Sequence, residues 1–139
     1  MTPLDRFLDH IKAFVASFFI QMFCQGNRDT ADPAAHRGLE WLRRAQNPDG
    51  GWGGDFGIKS SVEETALAAE VLLSLETNAK SISEPSLRAL EWLLERTDRG
   101  TWMEPSPIGF YFAKLWYFEK LYPMIFTVAA LRRAADLVT

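Results

Sequence analysis

Apolar residues recur at steps of three and four positions along most of this chain, and that spacing predicts amphipathic helices. Helices are predicted over residues 4–24, 32–46, 60–75, 84–96 and 124–137. An aromatic segment precedes the last of them, so we expect about six helices and no convincing strand. Polar-faced helices alternate with alanine-rich ones, a pattern that is typical of stacked helical hairpins in an all-α fold.

Residues 1–26 stand apart as an N-terminal amphipathic helix, and residues 33–139 form the main domain. The uncharged run over residues 13–25 is shorter than the roughly 20 residues that a membrane-spanning helix needs. Asp5 and Asp9 argue against a signal peptide, because they spoil its basic start. Two readings stay open: the helix packs onto the rest of the fold, or it lies on a membrane surface or against a partner.

The end of the second predicted helix carries the most informative pattern. Gln46 is followed by the Gly50-Gly51 pair and then by Trp52. The glycine pair stops the helix and demands a turn. Trp52 has a large apolar ring, and exposing that ring to water in a loop would cost free energy. A long amide such as that of Gln46 can tie an unpaired group at the helix end to a neighbouring turn.

The same layout returns about fifty residues later. Residues 88–94 echo residues 37–43, and residues 100–102 echo residues 50–52. Corresponding positions are 51 and 50 residues apart, respectively. Self-similarity at such a period indicates a repeat architecture, in which each unit buries its apolar face on its neighbour.

A basic residue, an aromatic-aliphatic pair, a glutamine and Gly-x-Trp, in this order, resemble the QW repeat of squalene-hopene cyclases and oxidosqualene cyclases. Residues 37–52 match each defined position, whereas Thr97 replaces the glutamine in the second copy. With residues 61–66 and the aromatic tail to about Arg133, the chain resembles the C-terminal portion of a squalene-hopene cyclase. The resemblance implies an α/α toroid of helical hairpins, of which this chain supplies an incomplete part. In the family such repeats brace the outer helices, and their structural residues here are Gln46, Gly50, Trp52, Gly100 and Trp102.

The resemblance also implies a reaction, the proton-initiated cyclisation of an isoprenoid such as squalene by an isomerase. That reaction needs a dry pocket walled by aromatic rings, whose negative faces attract a carbocation as they attract ammonium groups. The aromatic tail offers Phe110, Phe112, Trp116 and Tyr117 as candidates for the wall. A competing reading places the same rings in an ordinary core or a subunit interface.

The reaction needs an acid as well, and the chain lacks the family's Asp-x-Asp-Asp motif. Glu63-Glu64 lies at a helix start, where ionised carboxylates favour the dipole and the spacing from Ser61 to Glu64 suits a capping box. We therefore expect this pair to cap a helix and predict no catalytic residue. Leu67 stands where the cyclases that this chain resembles carry a tryptophan, so one cation-stabilising ring is missing.

Two hypotheses of function follow. In the first, the chain is a truncated squalene-hopene-cyclase-like protein of triterpenoid or hopanoid biosynthesis, inactive unless a complementary cyclase chain supplies the acid. Whether it is an enzyme therefore stays open. In the second, it is a non-catalytic helical-repeat module that binds an isoprenoid lipid, a membrane surface or a partner protein, or that self-associates through its aromatic surface. The expected location is cytoplasmic, with peripheral, monotopic attachment to a membrane as the finer alternative.

Composition adds a few exclusions. The net charge of −3 gives no reason to expect a nucleic-acid partner. A single cysteine, Cys24, excludes an intrachain disulfide and suits a reducing compartment. This cysteine and the two scattered histidines, His10 and His36, make no credible metal site, so no metal or other cofactor is predicted.

Overall fold

The computed structural model of the protein describes residues 33–76, 81–105, 107–110 and 115–139. Within these ranges the elements follow in the order α1 (Pro33–Ala45), α2 (Val62–Leu75), α3 (Glu84–Asp98), β1 (Pro107–Phe110), β2 (Leu115–Phe118) and α4 (Leu121–Val138). The helix predicted over residues 4–24 lies outside the described residues.

The all-α fold class of helical repeats is confirmed, since four predicted helices appear within three residues of their expected bounds. The aromatic segment differs from expectation and forms a short antiparallel strand pair, with Pro107 opposite Phe118 and Gly109 opposite Trp116. Aromatic residues favour the pleated backbone, and a proline keeps the residue before it out of the helical region. The described part of the chain thus holds four helices where about six were expected for the whole.

The last helix begins at Leu121, three residues before its predicted start. Pro123 lies within its first turn and is buried. The first N–H groups of a helix have no partner inside it, so a proline at this place removes no helical hydrogen bond. Pro123 therefore belongs to the helix start and does not break the segment.

The central helix is α2, of whose 14 residues 11 are buried. A helix that is apolar on nearly all sides belongs inside the fold. It packs most extensively against α4 and next against α3. The hydrophobic core combines residues of all four helices with one tryptophan from the turn after α1: Leu39, Leu42, Ala45, Trp52, Val62, Ala66, Ala68, Ala69, Val71, Leu72, Ala89, Trp92, Leu93 and Ala130.

Two glutamates of the α2 segment fasten it to its neighbours. Glu70 is buried on α2 and accepts from Arg133 of α4, at 2.9 Å from Nε and 2.7 Å from the terminal nitrogen. Glu76 follows α2 and accepts hydrogen bonds from the hydroxyl groups of Ser83 and Ser86. The carboxylate of Glu70, which is buried, needs such a partner, whereas that of Glu76 is only partly buried. These contacts fix the positions of α4 and α3 relative to α2.

α4 turns its smaller side chains to the core and some of its larger ones outward. Its buried residues are Pro123, Thr127 and Ala130. Leu121, Ile125 and Val128 form what we term the α4 outer face, and each is 54–56% exposed. Their spacing of four and three residues places them on one stripe of the helix. In the described part of the chain, no helix is long and apolar enough to cross a membrane.

Candidate functional site

The four aromatic residues predicted to wall a cavity fall in and around the strand pair. Phe110 ends β1, and Trp116 and Tyr117 lie within β2, where the backbone of residue 116 pairs with that of Gly109. Phe112 lies outside the described residues. The role of these rings as a cavity wall stays a prediction.

Gln46 follows α1 directly and joins three segments through its amide. Its Nε2 donates to the carbonyl oxygen of Gly50 at 2.9 Å and to that of Pro85 at 2.9 Å. Pro85 belongs to the first turn of α3. Both hydrogens of one amide nitrogen are thus used to hold the end of α1, the turn after it and the start of α3 together.

Trp52 fastens the same turn between α1 and α2. Its ring is 1% exposed, and its Nε1 donates to the carbonyl oxygen of Leu42 at 2.8 Å. Leu42 lies in the last turn of α1, where carbonyl groups have no partner within the helix. The backbone N–H of Trp52 donates to Oγ1 of Thr65 on α2 at 2.9 Å, and its carbonyl accepts from the N–H of Ser61 at 2.9 Å.

Gly50 lets this turn approach α3 more closely than a larger residue would. Its φ of +93° lies in the left-handed region, which other residues adopt only at a cost. A Cβ atom there would lie 2.8 Å from the carbonyl oxygen of Arg88. The Arg88 guanidinium in turn donates to the carbonyl oxygens of Pro48 at 2.7 Å and Asn47 at 3.2 Å.

Asp49 makes a contact that the sequence pattern does not predict. Its Oδ2 accepts from the indole N–H of Trp92 at 3.0 Å, and its Oδ1 accepts from Gly51 N and Ser60 Oγ at 3.0 and 2.8 Å. Burial alone would raise the pKa of Asp49, but these three hydrogen bonds and the charge of Arg96 outweigh it and lower the pKa. An aspartate two residues before a turn amide is a recognisable signal for the bond to Gly51. Nothing in the sequence indicates the bond to Trp92, which is 43 positions away.

The second copy of the repeat ends a helix, and within the described residues its glutamine equivalent makes no bond to another helix. The Gly100 N–H donates to the Thr97 carbonyl at 3.0 Å, and the Thr101 N–H donates to the Arg96 carbonyl at 2.9 Å. With Gly100 at φ +71°, these bonds form a Schellman motif. Thr97, in the place of the glutamine, directs its hydroxyl back to its own helix. Trp102 is partly exposed, in contrast to the buried ring of the first copy.

Glu64 is the acid whose environment departs most from expectation. Ser61 caps α2 by accepting from the Glu64 N–H at 3.3 Å, which is half of the predicted capping box. The second bond of a capping box would run from the Ser61 N–H to the Glu64 carboxylate. Here the Ser61 N–H donates to the backbone carbonyl of Trp52 instead. The Oε2 atom of Glu64 is buried and has no hydrogen-bond partner among the described residues. Burial raises the pKa of Glu64 to about 7, against a weaker opposing effect of its own backbone N–H, so the expected ionised form prevails only above that pH.

Glu64 lines a surface cavity of about 510 Å³, which we term the α2–α3 cavity. It is bounded by Gly54, Ile58, Lys59, Ser60, Ser61, Val62, Glu64, Trp92, Arg96, Arg99, Thr101, Glu104 and Pro105. The walls come from the loop before α2, the start of α2, the end of α3 and the turn that follows it. A volume of this size falls within the range of small-molecule sites.

The chemistry available differs between the two parts of this region. The turn around Gln46 and Trp52 holds helices together, and all the contacts described for it are internal. Glu64 is mostly protonated below about pH 7, but a carboxyl group with a pKa of about 7 is a weak acid and transfers a proton to an alkene poorly. Leu67, which replaces the expected tryptophan, is buried on α2.

A family model described as the squalene-hopene cyclase C-terminal domain matches residues 14–136 of the chain. The matched range includes both copies of the repeat, the α2–α3 cavity and the strand pair. No curated protein and no solved structure matches the chain.

The substitution Gln46→Ala tests the brace. It leaves the carbonyl groups of Gly50 and Pro85 without this donor, so the free energy of unfolding should fall by about 1–3 kcal/mol. Thr97→Ala is the matched control, because Thr97 occupies the equivalent place in the second copy and its hydroxyl donates to Leu93 of its own helix. This substitution should change stability by less than about 0.5 kcal/mol. Urea unfolding measures both, and equal losses would contradict a brace specific to the first copy.

The substitution Glu64→Gln tests the buried carboxyl. The folded protein holds this proton more tightly than the unfolded chain, so its contribution to stability is full below about pH 4.5 and is lost as the pH rises through about 7. A neutral amide avoids the loss, and the variant should exceed the wild type by about 2–3 kcal/mol more at about pH 8 than at about pH 5.

Urea unfolding at both pH values gives the comparison. Glu84→Gln is the control, since it makes the same change of side chain at an exposed residue in the first turn of α3. A difference between wild type and Glu64→Gln that is equal at the two pH values would mean that the carboxyl is not held protonated.

Proposed function

This chain belongs to the squalene-hopene cyclase C-terminal domain family, and from that premise we propose that it braces and walls a triterpene-cyclase active site whose acid comes from elsewhere. The proposed setting is triterpenoid or hopanoid biosynthesis, with a squalene-like isoprenoid as substrate. The observation that carries the proposal is the braced repeat from Gln46 to Trp52, which lies inside the range matched by the family model.

The brace gives this part of the chain a scaffold role. Gln46 sets the start of α3 relative to α1, and Trp52 sets α1 relative to α2. A carbocation site needs its aromatic faces held at fixed places, because the stabilisation falls off with distance and orientation. We propose that the aromatic residues of the strand pair, Phe110, Trp116 and Tyr117, together with Phe112, serve as such faces.

The proton must then come from a further segment or a partner chain. The 139 residues contain no Asp-x-Asp-Asp motif, and Glu64 is too weak an acid for an alkene. The α4 outer face is a candidate docking surface for the acid-bearing part, because it presents aliphatic side chains to solvent.

The purified chain should therefore form no cyclised product from squalene above a protein-free blank, with products analysed by gas chromatography and mass spectrometry. Joined to the acid-bearing part of a squalene-hopene cyclase in place of that enzyme's own C-terminal domain, residues 33–139 should support product formation. Leu67→Trp in the chimera should increase the yield, since it restores a ring to the wall. Cyclisation by the chain alone would overturn the requirement for an outside acid.

The α4 outer face favours a second candidate, a non-catalytic module that binds a membrane surface. Exposed aliphatic residues on one stripe of a helix can enter the interface between lipid headgroups and acyl chains. The amphipathic pattern of residues 4–24 would add to such binding. In this second candidate function the family fold serves as a binding scaffold, and the protein catalyses no reaction.

Flotation with phosphatidylcholine vesicles tests this candidate. The full chain should float with the vesicles, and Ile125→Asp should reduce the bound fraction severalfold, because a charge in the apolar interface is costly. Leu94→Asp is the control, since Leu94 is also an exposed aliphatic residue but lies on α3. Equal flotation of both variants would argue against the α4 outer face, and no flotation of the wild type would argue against membrane binding.

A further inference from the structure

The α2–α3 cavity concentrates positive charge around a partly apolar floor. Lys59 enters from the loop before α2, and Arg96 and Arg99 enter from the end of α3. Glu64 and Glu104 are the acidic residues among these lining groups, and Glu64 is mostly uncharged below about pH 7. The N-terminus of α2, which also borders the cavity, adds the positive end of a helix dipole.

The arginines are partly engaged but keep unused donors. Arg99 lies 2.5 Å and Arg96 3.6 Å from the carboxylate oxygens of Glu95, which is half-exposed. Arg96 also stacks on Trp92, with its guanidinium carbon 4.2 Å from the ring centroid. A guanidinium has five N–H donors, and an exposed ion pair is weak in water, so both remain able to bind an anion.

Glu64 supplies a second and independent observation. Its Oε2 is buried without a partner in the described part of the chain, although buried polar atoms are nearly always hydrogen-bonded. Below about pH 7 the protonated carboxyl offers one O–H donor. The missing partner is therefore an acceptor. Since Oε2 itself is closed off from the cavity, an oxygen atom of a bound ligand would supply it once the Glu64 side chain turns toward the cavity that it lines.

We propose that the α2–α3 cavity binds an amphiphilic oxyanion, a phosphate monoester of a small apolar alcohol, with Lys59 and Arg99 at its head and Glu64 as a hydrogen-bond donor. Ile58 and Pro105, which line the cavity and are partly exposed, offer the apolar body a surface to pack on. The proposal does not depend on the cyclase role, because none of these residues belongs to the predicted aromatic wall.

A cationic ligand fits the same cavity less well. Three basic side chains would repel it, and the open face of Trp92 is already covered by Arg96. An uncharged ligand would leave the basic groups facing solvent and would gain nothing from them. The balance of charge thus selects an anion.

Titration calorimetry of the full chain with hexyl phosphate, hexanol and inorganic phosphate tests the proposal. Hexyl phosphate should bind at least about tenfold more tightly than either of the others, since only it has both a charged head and an apolar body. Hexyl phosphate that binds no better than hexanol would overturn the charge argument. Binding no better than inorganic phosphate would overturn the apolar contact.

Two variants locate the head group. Lys59→Gln and Arg99→Gln should each weaken hexyl phosphate binding by about three- to tenfold, and both residues are exposed, so the fold should persist. Arg132→Gln, an exposed arginine of α4, is the control and should leave binding unchanged. Equal weakening by all three would mean that only the net charge of the protein matters.

A last titration tests Glu64 with hexanesulfonate, whose sulfonate group stays ionised throughout the pH range used. The charged groups that surround Glu64 at the cavity include Lys59, Arg96, Arg99 and Glu104. Glu63 precedes Glu64 on α2. Wild-type affinity should fall severalfold between about pH 6 and about pH 8, as Glu64 loses its proton and repels the sulfonate. Glu64→Gln should remove that fall while binding at about pH 6 within about twofold of wild type. A fall that persists in Glu64→Gln would exclude Glu64 from the site.

Discussion

The buried hydrogen bond from the indole of Trp52 to the carbonyl of Leu42 is the contact on which the arrangement of helices depends. Burying a tryptophan ring contributes up to about 5 kcal/mol, but only if its N–H finds a partner, since an unpaired buried donor costs about 1–3 kcal/mol. The end of α1 at Ala45 leaves the Leu42 carbonyl without a helical partner at the right place. One hydrogen bond therefore satisfies both the unpaired carbonyl at the helix end and the buried N–H of the indole ring.

Other contacts of the turn follow from where that ring lies. With Trp52 inside, its backbone meets Thr65 of α2, and Asp49 is brought within reach of Trp92 on α3. Trp92 occupies in the second repeat the place that Trp41 has in the first. One copy of the motif thus holds the next copy directly, as expected for repeats whose stability comes from contacts between neighbours.

The helices were predictable because their signals are local. Gly50-Gly51 after Gln46, and Pro85 near the start of α3, mark helix ends through the backbone itself. The strand pair was missed because aromatic residues suit either state, and the choice depends on pairing between residues 107–110 and 115–118. The contact between Asp49 and Trp92 and the burial of Glu64 were beyond prediction for the same reason, since each depends on which distant residues surround it.

Glu64 illustrates how burial and helix position compete for one proton. A carboxylate in the first turn of a helix is stabilised by about 0.3–1 kcal/mol, which was the basis for expecting it to be ionised. Its pKa nevertheless rises from 4.5 to about 7, so the environment disfavours the charged form by a net amount of about 3 kcal/mol. Desolvation therefore outweighs the dipole. A protonated carboxyl has nearly the shape of a neutral amide, so the position accommodates Glu64 below about pH 7, as long as it keeps its proton.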